Sequence, residues 1–262
     1  MELNDKVAIV TGAGSGIGRA LAIAIGATGA RSVICTDLDG NTAAETAAMI
    51  GASAAAAALD VSDEAAIAAM VAETESTLGA VDLFVSNAGY GRTGGLELPT
   101  QEWARMMQVH AWAHLAAARA VIPGMLAREG GYLLNTASAA GLLTQIDSGP
   151  YAVSKHAAVG FAEWLAVTYG DQGIGVSVLC PQAVRTNIGS DDPQQVAVGQ
   201  ASFDGVLEPE TVADACIEAI REERFLVLPH PEVATYFQRK ASDHDRWLRG
   251  MRRFRDRIAA GD

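Results

Sequence analysis

The chain has 262 residues, half of them apolar, and a formal net charge of −12 at pH 7. This length and composition suit one large α/β domain with a sizeable core, so we expect residues 1–262 to form a single domain. The acidic balance argues against broad contact with nucleic acid or anionic membranes. It favours small molecules or copies of the same chain as partners.

The cysteine content and the hydrophobic profile bear on the compartment. The three cysteines, Cys35, Cys180 and Cys216, are scattered, which suits core thiols in a reducing environment. The sequence has neither the uncharged stretch of about 18 apolar residues that a membrane span needs nor a signal-peptide pattern at its start. We therefore predict a cytoplasmic protein with no membrane partner.

Short apolar runs alternate with helix-length segments along most of the chain. This alternation is typical of a parallel sheet with helices on both faces, because each crossover must return the chain to the same edge. It predicts a single-domain Rossmann fold of the α/β class, with a doubly wound parallel sheet of about seven strands. The predicted strands are residues 6–11, 31–36, 54–59, 82–86, 131–137, 174–179 and 225–228.

A glycine-rich segment, Thr11-Gly12-Ala13-Gly14-Ser15-Gly16-Ile17-Gly18, follows the first predicted strand and opens a helix. Glycines let the backbone approach a pyrophosphate at a helix N-terminus, so the segment predicts a dinucleotide site. The spacing differs from Gly-x-Gly-x-x-Gly, since Ile17 stands where its third glycine would be. The alternative is a flexible turn.

An acidic residue, Asp37, ends the second predicted strand. In a βαβ unit its carboxylate would hydrogen-bond the adenosine ribose hydroxyls and would repel a 2′-phosphate. Neither Ser15 nor Leu38 is a basic residue that would favour the phosphate, whereas Arg19 and Arg31 are near enough in sequence to leave NADP open. We predict NAD as the cofactor.

A tyrosine and a lysine, Tyr151 and Lys155, stand four residues apart in a segment that Pro150 can begin as a helix. At this spacing the two side chains share a face, and the ammonium is expected to lower the pKa of the phenol. Ser138 follows the strand at 131–137, at the sheet edge where ligands bind, so its hydroxyl can hold a substrate oxygen. The alternatives are surface or packing roles for the pair and a turn cap for Ser138.

Together these motifs resemble the short-chain dehydrogenase/reductase family over nearly the whole length, residues 6–228. The glycine segment resembles that family's cofactor loop, and Ser138, Tyr151 and Lys155 match its catalytic set. The resemblance implies that Lys155 also binds the nicotinamide ribose and that Ile17 contributes through its backbone. Residues expected to contact NAD are Gly12, Ser15, Gly16, Ile17, Gly18, Asp37, Asp60, Val61, Asn87, Ala88, Gly89, Tyr151, Lys155, Pro181, Val184 and Thr186.

The chain departs from the family pattern at three positions. His110 stands where the family usually has an asparagine that helps to hold a proton-relay water. We count His110 among the candidate catalytic residues, since its imidazole can add a second titrating group; a packed, buried histidine is the alternative. Ser86 replaces the first asparagine of Asn-Asn-Ala-Gly, and Gln182 replaces a glycine after Pro181.

The resemblance leads to a specific hypothesis for the reaction. Tyr151, as a phenolate, takes the proton of a secondary alcohol while hydride passes to NAD, Lys155 tunes Tyr151, and Ser138 orients the substrate oxygen. The alternatives are an NADPH-dependent carbonyl reductase and a dinucleotide-binding sensor or scaffold without turnover. The five histidines form no convincing metal-ligand set, so we expect no metal.

Two segments are expected to shape the substrate pocket or the assembly. Residues 187–207 lack a steady period and are predicted to form a lid loop. Residues 232–262 form an amphipathic, arginine-rich tail, which either packs on its own domain or a neighbouring subunit, or partly covers a pocket for a bulky apolar cyclic or aryl substrate. The family resemblance implies a homotetramer or dimer joined through the long helices, where Trp112, His114 and Trp164 are expected.

Overall fold

The computed structural model describes residues 1–186, 188 and 204–260, and its centre is one parallel sheet of seven strands. The strands lie in the order β3-β2-β1-β4-β5-β6-β7. The predicted Rossmann-like α/β fold is confirmed. The strands are β1 (Val7–Thr11), β2 (Ser32–Asp37), β3 (Ala54–Ala58), β4 (Leu83–Ser86), β5 (Gly131–Thr136), β6 (Ile174–Leu179) and β7 (Leu226–Val227).

Helices connect the strands and cover both faces of the sheet. A π-helical turn, Gln108–Trp112, joins α4 to α5, so that these helices form one long rod. The helices are α1 (Gly16–Ala27), α2 (Gly40–Ile50), α3 (Glu64–Leu78), α4 (Thr100–Met107), α5 (Ala113–Ala127), α6 (Gly149–Tyr169), α7 (Pro209–Glu222), α8 (Glu232–Ser242) and α9 (His244–Ala260).

The strands carry apolar residues on both faces because helices bury both. On one face, Ile9, Phe84 and Leu133 contribute to a core shared with α3, α5 and α6. On the other face, residues such as Val10 and Leu134 pack with α1, α2 and α7. The continuous apolar runs of the central strands follow from this double coverage.

The sheet reverses its winding direction between β1 and β4. From β1 the chain builds outward to β3, then returns to β4 on the other side of β1. In open α/β sheets this switch point leaves a crevice at the carboxyl ends of the strands, and ligands bind there. The glycine segment, which follows β1, and residues 87–89, which follow β4, therefore meet at one place.

Most of the predicted lid, residues 187–207, lies outside the described residues. At the end of the segment that is described, Leu207 pairs with the chain beyond β6. Its N–H donates to the Ala183 carbonyl at 3.1 Å, and its carbonyl accepts from the Arg185 N–H at 2.9 Å.

The C-terminal tail divides into two helices with different surroundings. Val233 of α8 is buried, and Lys240 Nζ donates to the Leu142 carbonyl at 2.6 Å. Trp247, in α9, packs against the main core, yet no residue of the described α9 is buried. Along the described ranges, no helix combines the length and apolarity that a membrane crossing requires.

Candidate active site

The glycine segment forms a tight cradle at the switch point. Gly12 and Gly16 have φ angles of +64° and +52°, a region that favours glycine. A Cβ at Gly18 would collide with the Gly12 carbonyl oxygen, and one at Gly16 would lie 2.8 Å from Thr186 Cγ2. The cradle therefore packs on its own backbone at Gly18 and on the Thr186 side chain at Gly16.

The cradle ends at the N-terminus of α1, where Ser15 is the N-cap residue. The first N–H groups of a helix lack intrahelical partners and carry a partial positive charge, which suits a phosphate. The Gly14 N–H donates to Asp37 Oδ2 at 2.9 Å, and a side chain at Gly14 would collide with that carboxylate. Gly14 therefore couples the phosphate loop to the predicted ribose ligand, a role that the motif alone does not assign.

The Thr11 hydroxyl, whose role the motif does not indicate, joins the ends of β1 and β4, and Asn87 extends the link to β5. Thr11 Oγ1 accepts from the N–H groups of Asn87 and Ala88 at 2.9 and 3.1 Å, and donates to the Val85 carbonyl. Asn87 Oδ1 accepts from Thr136 Oγ1 at 3.2 Å. These bonds hold the ends of β1, β4 and β5 together, so the loop after β4 lies against the glycine cradle.

Asp60 and Val61, which by the family resemblance are expected to contact the adenine of NAD, follow β3. The Asp60 carboxylate accepts from the Ser62 N–H at 2.9 Å and from its hydroxyl at 2.7 Å, and these bonds lower the pKa of Asp60. Val61 is buried in the core. Both residues thus have structural roles, Asp60 in the turn and Val61 in the core, and their contact with adenine stays a prediction.

Tyr151 and Lys155 lie one turn apart on α6, whose N-cap is Ser148. Lys155 Nζ lies 5.7 Å from the centroid of the Tyr151 ring. The lysine side chain is buried, and its Nζ donates to the Thr136 carbonyl at 3.0 Å. The structure thus brings the two groups together at the carboxyl end of β5.

Burial controls the pKa values of this pair. It lowers the pKa of Lys155 to about 8. It raises the pKa of Tyr151, and a hydrogen bond with the Ser138 hydroxyl opposes this shift. The expectation that Lys155 lowers the Tyr151 pKa is therefore wrong for this structure, because the desolvation of the phenol dominates.

Ser138 lies just beyond β5 and contacts the segment after β6. Its Oγ accepts from the Ala140 N–H at 3.1 Å and donates to the Pro181 carbonyl at 3.4 Å. The same hydroxyl opposes the rise of the Tyr151 pKa, so Ser138 both stabilises a turn and lies near the phenol. Val184, in this segment, bridges to Leu207.

His110 lies in the π-helical turn and is buried. Its Nε2 accepts from the Tyr90 N–H at 3.1 Å, and its Nδ1 lies 2.9 Å from Ser154 Oγ. Burial and the nearby Lys155 ammonium keep the pKa of His110 well below its usual 6.5. The imidazole is neutral at physiological pH, so the expected second titrating group near pH 6.5 is wrong.

One further sequence expectation, for His114, is wrong, and the structure also gives the surroundings of Gln182. His114 was placed at a subunit interface, but it is only 2% exposed and lies in the core. It lines a small internal space together with Ile67 of α3 and Phe84 of β4, which are both core residues. Gln182, which replaces the family glycine, donates its backbone N–H to His230 Nδ1 at 3.2 Å.

The residues present fit a dinucleotide. The cradle has no space for side chains at Gly12 and Gly18 and so brings bare backbone to the crevice, which is what a pyrophosphate requires. At the far end, a Cβ on Gly89 would lie 3.2 Å from His110 Nε2 and 3.7 Å from Lys155 Nζ. Glycine, cation and phenol therefore converge on one region. Among the described residues, no group of three or more His, Cys, Asp or Glu side chains is arranged to hold a metal.

A Rossmann-type sheet with a dinucleotide cradle beside a serine, tyrosine and lysine set defines an oxidoreductase that uses a nicotinamide cofactor. The chain matches the short chain dehydrogenase family over residues 6–197. It therefore belongs to the short-chain dehydrogenase/reductase family.

Relatives agree with this assignment. The chain is 33% identical over 241 residues to 1-deoxy-11-beta-hydroxypentalenate dehydrogenase from Streptomyces exfoliatus, covering 88% of this chain and 86% of that one. It is 37% identical to an inactive 2-(S)-hydroxypropyl-CoM dehydrogenase 2 from Xanthobacter autotrophicus over 71% of this chain and 85% of that one. A short-chain dehydrogenase/reductase from Burkholderia phymatum, solved in complex with NAD, superposes with a TM-score of 0.84 at 31% identity, covering 94% and 96% of the two chains.

The buried His114 predicts a pH dependence of stability. Burial lowers its pKa from 6.5 to about 3, so the unfolded chain binds a proton before the folded chain does as the pH falls. Stability from neutral His114 is full above pH 6.5 and is lost as the pH falls toward 3. Between pH 7.5 and 5.5, protonation of His114 in the unfolded chain should lower the free energy of unfolding of the wild type by about 1.4 kcal/mol. In urea unfolding at both pH values, His114→Leu should lose less stability than the wild type by that amount.

The exposed His244 offers a matched control for this measurement. His244→Leu should leave the pH dependence as in the wild type. An unchanged slope in His114→Leu would contradict the burial argument.

Proposed function

We propose that this protein transfers hydride between NAD and a secondary alcohol or the corresponding ketone. The observation that carries the proposal is the convergence of Ser138, Tyr151 and Lys155 beside the glycine cradle. Binding a dinucleotide requires neither the serine nor the phenol, so the complete set favours turnover over binding alone.

Each residue of the set has a distinct task. Tyr151 exchanges the proton of the substrate hydroxyl, and Ser138, whose hydroxyl is near enough to affect the Tyr151 pKa, orients and polarises the same oxygen. Lys155 holds the cofactor ribose and keeps its ammonium 5.7 Å from the centroid of the Tyr151 ring, where a positive charge favours the phenolate when the proton leaves. Bound NAD supplies the hydride acceptor for alcohol oxidation.

The residues proposed to hold the cofactor line the crevice from end to end. The cradle and the start of α1 bind the phosphates, Asp37 binds the adenosine ribose, and the segments after β3, β4 and β6 contact the remaining groups. The set is Gly12, Ser15, Gly16, Ile17, Gly18, Asp37, Asp60, Val61, Asn87, Ala88, Gly89, Tyr151, Lys155, Pro181, Val184 and Thr186.

The proposed preference for NAD over NADP rests on charge. Asp37 presents a carboxylate where a 2′-phosphate would lie. The two arginines that left NADP open are engaged elsewhere: Arg31 pairs with Asp5 at 3.1 Å, and Arg19 pairs with Glu45 at 3.2 Å. Both observations disfavour an NADPH-dependent carbonyl reductase, the runner-up among enzyme functions.

We further propose a bulky apolar cyclic or aryl substrate. The loop between Ser138 and α6 carries Leu142 and Leu143, and Lys240 of α8 donates to the Leu142 carbonyl at 2.6 Å. α8 therefore lies against a loop of the site, which supports the tail as a partial cover. A relative named for a hydroxypentalenate substrate agrees with this class.

We propose a homo-oligomer, a tetramer or a dimer, joined through the long helices. Large apolar side chains are exposed there without a partner segment of the described fold over them, including Trp112 at 50%, Trp164 at 52% and Val167 at 88%. Large exposed apolar side chains on these helices favour this proposal, because apolar patches are typical of protein interfaces. Three free, buried cysteines suit a reducing compartment, and we propose the cytoplasm.

Tyr151→Phe tests the proposed chemistry. Removal of the hydroxyl should lower turnover by about 10² to 10⁴, the range for a placed acid or base. Turnover is followed by NADH absorbance on the best substrate from a panel of cyclic and aryl secondary alcohols. Tyr169→Phe, at the other end of α6, is the matched control and should behave as the wild type.

Two outcomes would count against the enzyme proposal. Wild-type turnover in Tyr151→Phe would remove the role of the phenol. Tight NAD binding by a wild type that turns over no alcohol or ketone of the panel would favour the sensor or scaffold alternative.

Asp37→Ser tests the cofactor preference. The wild type should bind NAD more tightly than NADP, by at most about three orders of magnitude for one like charge at close range. The variant should lose most of that ratio in calorimetric titration of both cofactors. Asp39→Ser removes a neighbouring carboxylate that instead caps α2 and should keep the ratio. An unchanged ratio in Asp37→Ser would contradict the assignment.

A further inference from the structure

The His110 ring fills the space between two aromatic side chains of the site. Its centroid lies 5.5 Å from the centroid of Tyr90, with the planes tilted by 53°. It lies 5.5 Å from the centroid of Tyr151, with the planes at 85°. The imidazole therefore makes a T-shaped contact with the ring that carries the proposed catalytic hydroxyl.

The hydrogen bonds of His110 determine its tautomer. The Tyr90 backbone N–H donates to Nε2, so Nε2 is unprotonated. Nδ1 therefore carries the proton in the neutral ring and donates to Ser154 Oγ at 2.9 Å. The Ser154 hydroxyl in turn donates to the Tyr151 carbonyl at 3.1 Å. The bonds form one directed chain from the loop after β4 to the first turn of α6.

None of the groups facing His110 carries a negative charge that would stabilise a protonated imidazole. They are Lys155 on α6, His114 on α5, Tyr90 on the loop after β4 and Tyr151 on α6. The lysine is a cation and the others are neutral near pH 7. A protonated imidazole would also lose its bond from the Tyr90 N–H, because Nε2 would then be a donor facing a donor.

We propose that His110 is a positioning residue, whose neutral Nδ1–H imidazole joins the loop after β4 to the first turn of α6 and fixes the ring of Tyr151. It neither takes nor gives a proton during turnover. Its position in a π-helical turn, which inserts one extra residue into the rod of α4 and α5, directs the ring between the two tyrosines. The catalytic role of Tyr151 rests on the proposed function. The hydrogen-bonded link through His110, called the tie below, does not.

An asparagine, the usual family residue, cannot make the same tie. Its donor and acceptor share one amide group at the end of a short side chain. The imidazole presents an acceptor and a donor on separate edges of a ring, which lets it span two elements while packing on Tyr151. The position therefore has a different structural task in this chain.

Nitrogen NMR of the intact protein without cofactor tests the tie directly. The ring resonances of His110, assigned by their loss in His110→Asn, should report a protonated Nδ1 and an unprotonated Nε2. They should not titrate between pH 5.5 and 9. An Nε2–H tautomer, or titration in this range, would overturn the proposal whether or not the protein proves to be an enzyme.

Kinetics separate positioning from proton transfer. His110→Phe keeps a packed ring and loses both bonds, while Ser154→Ala removes one bond; each should lower kcat by up to about tenfold, the equivalent of a hydrogen bond. Because both act through one chain, the double variant should be no slower than His110→Phe. The pKa values of the kcat/KM profile should stay as in the wild type.

His114→Leu is the control for the loss of a buried histidine one turn away, and it should leave kcat unchanged. If His110→Phe removed an ionisation between pH 5 and 8 while Ser154→Ala had no effect, His110 would belong to a proton relay and the positioning role would be overturned. Effects of His110→Phe and Ser154→Ala that multiply in the double variant would also contradict a single chain of bonds.

Discussion

The hydrogen bond from Lys155 Nζ to the Thr136 carbonyl is the constraint on which the site depends. A buried ammonium is costly unless it is paired, so the lysine holds α6 to the carboxyl end of β5. Once α6 is fixed there, Tyr151 lies near Ser138, at the carboxyl edge of the sheet. The same burial lowers the Lys155 pKa to about 8 and raises that of Tyr151, because both charged forms, the ammonium and the phenolate, are costly in this buried site.

Two further tethers fix the surroundings of this bond. The Thr11 hydroxyl holds the loop after β4 against the glycine cradle, and Thr136 joins the same network through Asn87. His110 connects that loop to α6 from the other side. The phosphate cradle and the proposed proton-transfer group are therefore parts of one cross-linked unit, which suits a reaction whose partners must be held in fixed geometry.

Much of this arrangement could be predicted from the sequence, since it depends on local pattern. The strand at 131–137 was predicted within one residue of β5, because apolar runs and their spacing mark buried parallel strands. The Tyr151 and Lys155 spacing fixed a common helix face. Contacts between distant segments were not predictable: Thr11 and Ser154 gave no sequence signal for their bonds. The sign of the Tyr151 pKa shift was predicted wrongly because burial is a property of the folded chain.

Lys155→Met tests the central claim most directly, since methionine keeps much of the apolar bulk and removes the charge. Calorimetric titration measures the NAD affinity of the variant, and circular dichroism checks that the variant is folded. Together they show whether the ammonium that holds α6 to β5 also contributes to cofactor binding. We expect a folded variant in which NAD affinity falls by at least about tenfold, the loss of one charge-assisted bond. Undiminished NAD affinity in the folded variant would contradict the account.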